Sequence, residues 1–287
     1  MSSLRMAAVA APFDRDLEAS FARIERLVTD ARADGIRLIA LPEACLGGYL
    51  ADLDGEAEGP PALRLEGPEI RRLSAIAGDA VIAAGYCEEV GDSAVRYNSA
   101  VCVTGDGVLG NHRKVHQPLS EDASYGAGDH FAAFDSPVGR LGMMICYDKA
   151  FPESARALAL DEAQIILCLS AWPGSRTNPS SDLARDRWKR RFDLFDQARA
   201  LENQVVWLSA NQTGTYGSLR FVGSAKVVAP GGEILDETGV AGGVAVAELD
   251  VVRALADARR SMGHLRDRRP DAYPHLGGAP ELALAGD

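Results

Sequence analysis

Short segments that are mostly apolar recur along the chain, and they constrain its fold more than any other feature. Leu4 to Ala11, Ile36 to Leu41 and Leu141 to Cys146 are of this kind, which is typical of strands buried on both faces. The segment from Asp14 to Ala33 instead places apolar residues at helical spacing on one face: Leu17, Phe21, Ile24 and Val28. Strands that alternate with helices in this way predict an α/β layered domain.

The rest of the chain continues the pattern without an obvious division. The spacing predicts helices over 69–77, 152–160, 183–202 and 251–260, and strands over 81–87, 98–104, 107–117, 165–169, 205–210, 225–229 and 244–249. We find no internal repeat and no Pro/Gly/Ser-rich linker between the two ends. Residues 1–262 are therefore predicted to form one domain, and residues 263–287, which are rich in Pro and Gly, an extended tail.

The charge balance limits the possible partners. Lys and Arg number 30 against 41 Asp and Glu, a formal net charge of −11. Binding to nucleic acid or to an anionic membrane surface requires a basic footprint, so neither is expected. No apolar run approaches the roughly 18 residues of a membrane span, and the apolar N-terminal stretch is too short for a signal peptide. We expect a cytoplasmic protein.

The cysteines are isolated in the sequence. They stand at 45, 87, 102, 146 and 168, and no pair has the CxxC spacing of a zinc site or a redox pair. We therefore expect no metal centre, and most of these cysteines should be small buried side chains.

Three reactive side chains lie in or directly after predicted strands. Glu43 follows the second strand, Lys114 lies within the predicted strand 107–117, and Cys146 ends the strand that begins at Leu141. Active sites of α/β folds gather where strands end. Because Pro152 marks a helix start just after Cys146, the helix dipole is expected to lower the pKa of that thiol. Each of these residues alone is also compatible with an ordinary structural position.

Together, the three contexts resemble the nitrilase superfamily of carbon–nitrogen hydrolases. The matching segments are Leu41-Pro-Glu-Ala-Cys-Leu-Gly-Gly-Tyr49, His112-Arg-Lys-Val-His116 and Ile145-Cys-Tyr-Asp148 with the following Phe151-Pro-Glu-Ser-Ala-Arg156. The resemblance implies a four-layer α-β-β-α sandwich and a hydrolase of non-peptide C–N bonds. It further implies a triad of Glu43, Lys114 and Cys146 with no metal or organic cofactor. The family's second glutamate matches Glu121, beside Asp122.

Amide hydrolysis requires a nucleophile, a proton shuttle and stabilisation of an oxyanion. Cys146 is predicted to attack the carbonyl carbon, and Glu43 to take the thiol proton and return it to the leaving amine. Lys114, which cannot be a base while protonated, is expected to hold the oxyanion together with the backbone N–H of Tyr147. Glu121 is expected to orient Lys114 or the substrate amine.

The substrate is constrained by the residues around Cys146. True nitrilases of the superfamily usually have Trp-Glu after the cysteine, whereas this chain has Tyr147-Asp148. This resembles the amidase and carbamoylase branches and favours a small linear amide or N-carbamoyl compound. Lys149 stands where N-carbamoyl amino-acid hydrolases place an arginine, which makes it a candidate contact for a substrate carboxylate. The other candidates for the substrate site are Tyr49, Trp172, His116 and Gln212.

Other functions are compatible with parts of this pattern. A nitrilase acting on a small nitrile and a soluble acyltransferase would use the same Glu-Lys-Cys triad. A binding protein that has lost catalysis is disfavoured because all four catalytic positions are filled. A papain-like protease needs a histidine paired with Cys146, and none of the 5 histidines lies in a recognisable protease context.

The resemblance also implies a homodimer or higher homo-oligomer. Family members pair through helices outside the sheets, often with a C-terminal tail that crosses to the partner. The helix from Leu183 and the tail from Gly263 are therefore the interface candidates, and the apolar tail residues Tyr273, Leu276 and Leu282 would be covered there.

Overall fold

A computed structural model of the chain describes residues 3–54 and 59–273. Within these ranges the strands are β1 Leu4–Ala11, β2 Leu38–Ala40, β3 Ala62–Leu63, β4 Val81–Glu89, β5 Arg96–Thr104, β6 Gly107–Arg113, β7 Phe134–Ser136, β8 Gly139–Ile145, β9 Ile165–Ser170, β10 Val206–Gln212, β11 Thr215–Tyr216, β12 Leu219–Arg220, β13 Lys226–Val228, β14 Ile234–Glu237 and β15 Gly243–Leu249. The helices are α1 Leu17–Ala33, α2 Pro68–Ala77, α3 Pro152–Leu160, α4 Arg187–Asn203 and α5 Val251–Arg259. None of the described helices is both long enough and apolar enough to cross a membrane.

The strands form a mixed sheet that bends into two halves. Its main path runs β6-β5-β4-β2-β1-β10-β9-β8-β7, with β3 on β4, β15 on β1, and β13 and β14 beyond β10. β1 and β10 pair only through Ala10 with Asn211 and Ala11 with Gln212, and we call these two pairs the junction. Because the strands separate beyond the junction, one half of the sheet can fold over the other.

The buried side chains show how the layers pack. The inner faces of both halves share one cluster, to which each half contributes alternate strand positions: Ala8, Ala40 and Ala83 from one half, Met143, Leu167 and Leu208 from the other. The outer face of the first half packs on α1 and α2, and that of the second packs on α3 and α4. The predicted α-β-β-α sandwich is confirmed, with the two sheets hydrogen-bonded through the junction.

Several boundaries differ from those predicted, each for a local reason. α1 begins at Leu17 because the Asp16 side chain accepts a hydrogen bond from Ala19 N and caps the helix. The helix predicted over 183–202 is a 3-10 turn at Leu183–Arg185 followed by α4, with Asp186 as the cap.

Lys114 lies just past β6, so its predicted place within a strand is wrong. Its N–H still bonds Asn98 O at 2.8 Å, but its carbonyl accepts from Gly128 N at 2.8 Å. A different segment therefore takes the bond that would continue the ladder.

Candidate active site

Glu43 is held by its backbone at the point where the chain leaves β2. A Cβ on Gly85 of β4 would lie 2.3 Å from Ala44 N and 2.7 Å from Glu43 Cα, so only glycine allows this approach. Gln212 Nε2 donates to Glu43 O at 3.0 Å, and Gln212 Oε1 accepts from Phe13 N at 2.9 Å. The carboxylate of Glu43 is thus carried by a backbone with little freedom to move.

The side chains of Glu43, Lys114 and Glu121 form one buried cluster. Lys114 Nζ donates to Glu43 Oε1 at 2.8 Å and to Glu121 Oε2 at 2.6 Å. Asn98 Nδ2 donates to Glu43 Oε1 and to Glu121 Oε1, both at 2.7 Å. Ala171 N donates to Glu43 Oε2 at 2.5 Å. The lysine and both glutamates have 0% exposed surface, so water does not screen their charges and a single ammonium faces two carboxylates.

The electrostatics keep Lys114 protonated. Burial, the largest single effect, lowers the pKa of this lysine, but the charges of Glu121 and Glu43 outweigh it and the pKa stays well above its ordinary value. Burial and then the neighbouring Glu43 raise the pKa of Glu121 to about 7, against the opposing effect of Lys114. A charged lysine suits the stabilisation of negative charge and cannot accept a proton.

Cys146 occupies a strained turn directly after β8. Its φ is 49°, which is unfavourable for a residue with a side chain, and it opens a 3-10 turn over Cys146–Ala150. The expected lowering of its pKa is wrong. Burial first, and then the charge of Glu43, raise the pKa of the thiol well above its ordinary value, and Lys114 offsets this only in part. The turn also separates Cys146 from the start of α3 at Pro152, so the thiol is protonated at rest.

Asp148, which the sequence did not single out as a site residue, ties the lysine segment to the cysteine turn. Its Oδ1 accepts from Val115 N at 3.2 Å and from His116 N at 3.0 Å, and its Oδ2 accepts from Ile145 N at 3.1 Å. His116 Nδ1 and His112 Nε2 lie 2.9 and 3.2 Å from the same carboxylate. Burial opposes ionisation, but the bonds from the two histidines outweigh it and lower the pKa of Asp148 to about 2.

A cavity of about 380 Å³ opens beside Cys146. Tyr49, Tyr147 and Trp172, three of the predicted substrate residues, line it. Most of the remaining wall is apolar, including Leu53, Leu119, Trp188 and Phe195, and Arg191 also lines it. Its size and lining fit a small, partly apolar ligand.

The other three predicted substrate residues have structural partners and do not line this cavity. Lys149 is fully buried, with Nζ 2.7 Å from Asp196 Oδ1 and 3.2 Å from the Phe192 ring centroid. It therefore cannot reach a substrate carboxylate in this arrangement. His116 stacks on Phe151 with ring centroids 3.8 Å apart. Gln212 holds the Glu43 carbonyl, as described above.

Sequence reasoning missed Asn98 and Asp148. Asn98 begins a predicted strand, where a polar residue is unremarkable, and its two bonds to carboxylates depend on the fold. Asp148 had a stronger signal, because it follows the cysteine within the recognised motif. In residues 3–54 and 59–273, no group of three or more His, Cys, Asp or Glu is arranged to hold a metal ion.

Comparisons with known proteins show the family of the chain. The family model for carbon-nitrogen hydrolase matches residues 5–258. A probable nitrilase from Schizosaccharomyces pombe is 33% identical over 83% of this chain and 85% of its own length. An N-carbamoylputrescine amidase from Arabidopsis thaliana is 31% identical over 91% of each chain.

Solved structures show the same fold. A carbon-nitrogen hydrolase from Helicobacter pylori G27 has a TM-score of 0.82 at 25% identity and covers 96% of this chain and 99% of its own. A variant of the amidase from Nesterenkonia sp. AN1, with the acetamide moiety of fluoroacetamide added to its active-site cysteine, has a TM-score of 0.77 at 25% identity, covering 96% and 97%. The chain therefore belongs to the carbon–nitrogen hydrolase family of the nitrilase superfamily and is an enzyme of that class.

Proposed function

We propose that this enzyme hydrolyses the amide or N-carbamoyl C–N bond of small linear compounds through a thioester on Cys146. The observation that carries the proposal is the buried contact of Lys114 with Glu43 and Glu121, next to a cysteine that opens on a cavity. A base, a fixed cation and a nucleophile are the groups that acyl transfer requires.

The first half-reaction follows from the protonation states. The thiol of Cys146 is protonated, so it must lose its proton as it attacks, and Glu43 is the neighbouring carboxylate that can take it. A bond forms between sulfur and the carbonyl carbon, and the negative charge moves to the carbonyl oxygen. Lys114 and the N–H of Tyr147 stabilise that oxyanion, and one such donor typically lowers the barrier by roughly 3–4 kcal/mol.

The second half-reaction reuses the same groups. The tetrahedral intermediate collapses, the C–N bond breaks, and Glu43 returns its proton to the leaving nitrogen, which departs as ammonia or an amine. Water then attacks the thioester and gives a proton to Glu43. The C–S bond breaks, the acid leaves, and Cys146 recovers its proton. Glu121 keeps Lys114 charged and in place through both halves.

The preference for an amide over a nitrile rests on Tyr147-Asp148 after the nucleophile. Relatives of similar identity carry the names nitrilase and N-carbamoylputrescine amidase, so the substrate class needs a direct test. Ammonia release should be measured from a panel of simple amides, ω-amides, N-carbamoyl compounds and nitriles, with Cys146→Ala as the control. Release from an amide or carbamoyl compound that the variant abolishes is expected.

The same panel separates the alternatives. Turnover of nitriles alone would refute the amidase assignment. If a hydroxamate forms in place of the acid when hydroxylamine is added, and no acid forms without it, the enzyme is an acyltransferase that uses the same triad.

We also propose that the enzyme is a homodimer in the cytoplasm. Leu194 and Leu201 on α4 are 61% and 47% exposed, and Tyr273 is 50% exposed, which is apolar surface that a partner would cover. The tail residues Leu276 and Leu282 lie outside the described residues. All five cysteines are free thiols, as expected in a reducing compartment. A monodisperse monomer in light scattering would contradict the dimer. Recovery of the protein in a membrane or secreted fraction would contradict the cytoplasmic location.

A further inference from the structure

Arg191 stands out in the cavity beside Cys146. It lies on α4 between Trp188 and Phe195, three residues after one and four before the other, so the three side chains share one helix face. All three line the cavity. Among the described residues of that wall, Arg191 is the only lysine, arginine or carboxylate side chain.

Two other basic side chains of α4 have carboxylate partners on the same helix, whereas Arg191 has no partner among the described residues. Lys189 pairs with Asp193 at 2.6 Å, and Arg199 pairs with Glu202 at 2.8 Å. In a chain with 41 acidic residues, a cation that faces a cavity without a carboxylate partner is left available to a ligand.

We propose that Arg191 binds a carboxylate at the far end of the substrate. The substrate class is then a monoamide of a dicarboxylic acid, or an N-carbamoyl amino acid, whose apolar spacer lies along Trp172, Trp188 and Phe195. This rests on the proposed amide hydrolysis and adds the charge at the other end of the molecule. A guanidinium can bond both oxygens of a carboxylate, and a terminal ammonium in the same place meets a like charge.

The assignment replaces Lys149 with a residue that a ligand can reach. Lys149 Nζ is fully buried against Asp196 and Phe192, whereas Arg191 is exposed and faces the cavity. Both are cations close to Cys146 in the fold, but only Arg191 can exchange water for a substrate oxygen.

The test compares three amides that have the same chain length and differ only in their far end, which is a carboxylate, a methyl group or an ammonium group. The comparison is repeated at several chain lengths. The matched variants are Arg191→Gln and Arg190→Gln, because Arg190 is the preceding arginine of α4 and lines a different groove. The ratio of kcat/KM for the carboxylate amide to that for the neutral amide should fall about tenfold in Arg191→Gln and stay unchanged in Arg190→Gln.

Charge reversal sharpens the test. In Arg191→Glu the preference should move from the carboxylate amide to the ammonium amide, and added salt should weaken the wild-type preference. An active enzyme with no preference for the carboxylate amide, or with the same preference in Arg191→Gln, would overturn the proposal.

Binding keeps this proposal separate from the proposed reaction. In the Cys146→Ala background, calorimetry should show tighter binding of the carboxylate amide than of the neutral amide, and Arg191→Gln should remove the difference. If the wild type turns over no amide but this difference is found, the reaction is wrong and the carboxylate site stands. Equal binding of both amides in both backgrounds refutes the site.

Discussion

Replacing Asp148 with Asn tests whether one carboxylate joins the Lys114 segment to the Cys146 turn. In the wild type, Oδ2 accepts from Ile145 N, and His112 Nε2 lies 3.2 Å away. Oδ1 accepts from the backbone N–H groups of Val115 and His116. An asparagine can keep its oxygen toward only one of these sets, so its NH2 group must face N–H donors on the other side.

The cost follows from the pKa of this group. Its pKa is about 2 in the folded protein and 3.8 in the ordinary state, and this lowering is worth about 2.5 kcal/mol of stability at neutral pH. A buried donor left without an acceptor costs about 1–3 kcal/mol. The two quantities overlap, so we expect Asp148→Asn to lower the free energy of unfolding by about 2–4 kcal/mol.

The pH dependence has a definite sign. Because the folded pKa is lowered, the contribution of Asp148 is present above pH 3.8 and is lost as the pH falls toward 2. The charge-dependent part of the difference between wild type and variant should be nearly constant from pH 7 to pH 4 and about halved at pH 3.

Urea unfolding at these pH values measures that difference, and the ammonia assay measures the accompanying fall in kcat. Asp122→Asn, which removes an exposed carboxylate from the same region, is the control and should change neither. A variant within about 0.5 kcal/mol of wild type at pH 7, the range of ordinary surface substitutions, would refute the role given to Asp148.

Three further substitutions test the site. Gly85→Ala should lower stability by about 1–3 kcal/mol in thermal melts and reduce activity, because the added Cβ would lie 2.3 Å from Ala44 N. Unchanged melts and activity would contradict the close approach of Gly85 to Glu43. Lys114→Met should lower kcat roughly 100–1,000-fold while ammonia release remains measurable, and near-normal kcat would exclude this lysine from the oxyanion site. Glu121 has a raised pKa, about 7 against 4.5, so its contribution to stability is full below pH 4.5 and is lost as the pH rises to 7. Glu121→Gln should therefore remove this fall in the free energy of unfolding between pH 4.5 and 7, measured by urea unfolding. An unchanged dependence on pH would refute the raised pKa of Glu121.

Local pattern was enough to predict most elements of the fold. α3 was predicted at its observed bounds because Pro152 marks its start and a short helical period follows. β9 was predicted to within one residue because Ile165 to Leu169 are all apolar. β14, Ile234–Glu237, was missed because a four-residue strand that ends in two acidic residues looks like a loop. Its pairing with β13 exists only in the folded sheet.

Burial explains the errors at the site. The sequence placed Lys149 three residues after Cys146 but could not show that Asp196, 47 residues further along, would enclose its ammonium. The thiol of Cys146 was judged from the nearby helix start alone, although its pKa is set first by burial and then by Glu43, which follows β2. Both errors concern contacts between segments that are distant in sequence.

The junction between the two halves of the sheet connects the fold to the chemistry. Of its two pairs, one contains Asn211, whose Oδ1 accepts from Trp172 N at 2.8 Å, and the other contains Gln212, whose Nε2 donates to Glu43 O at 3.0 Å. Neighbouring strand residues point to opposite faces, so two consecutive positions of β10 can hold a cavity wall on one side and the proposed base, Glu43, on the other. The Glu43 carboxylate is therefore positioned by the same short pairing that closes the sandwich, and we expect movement of one half against the other to displace Glu43 from Cys146.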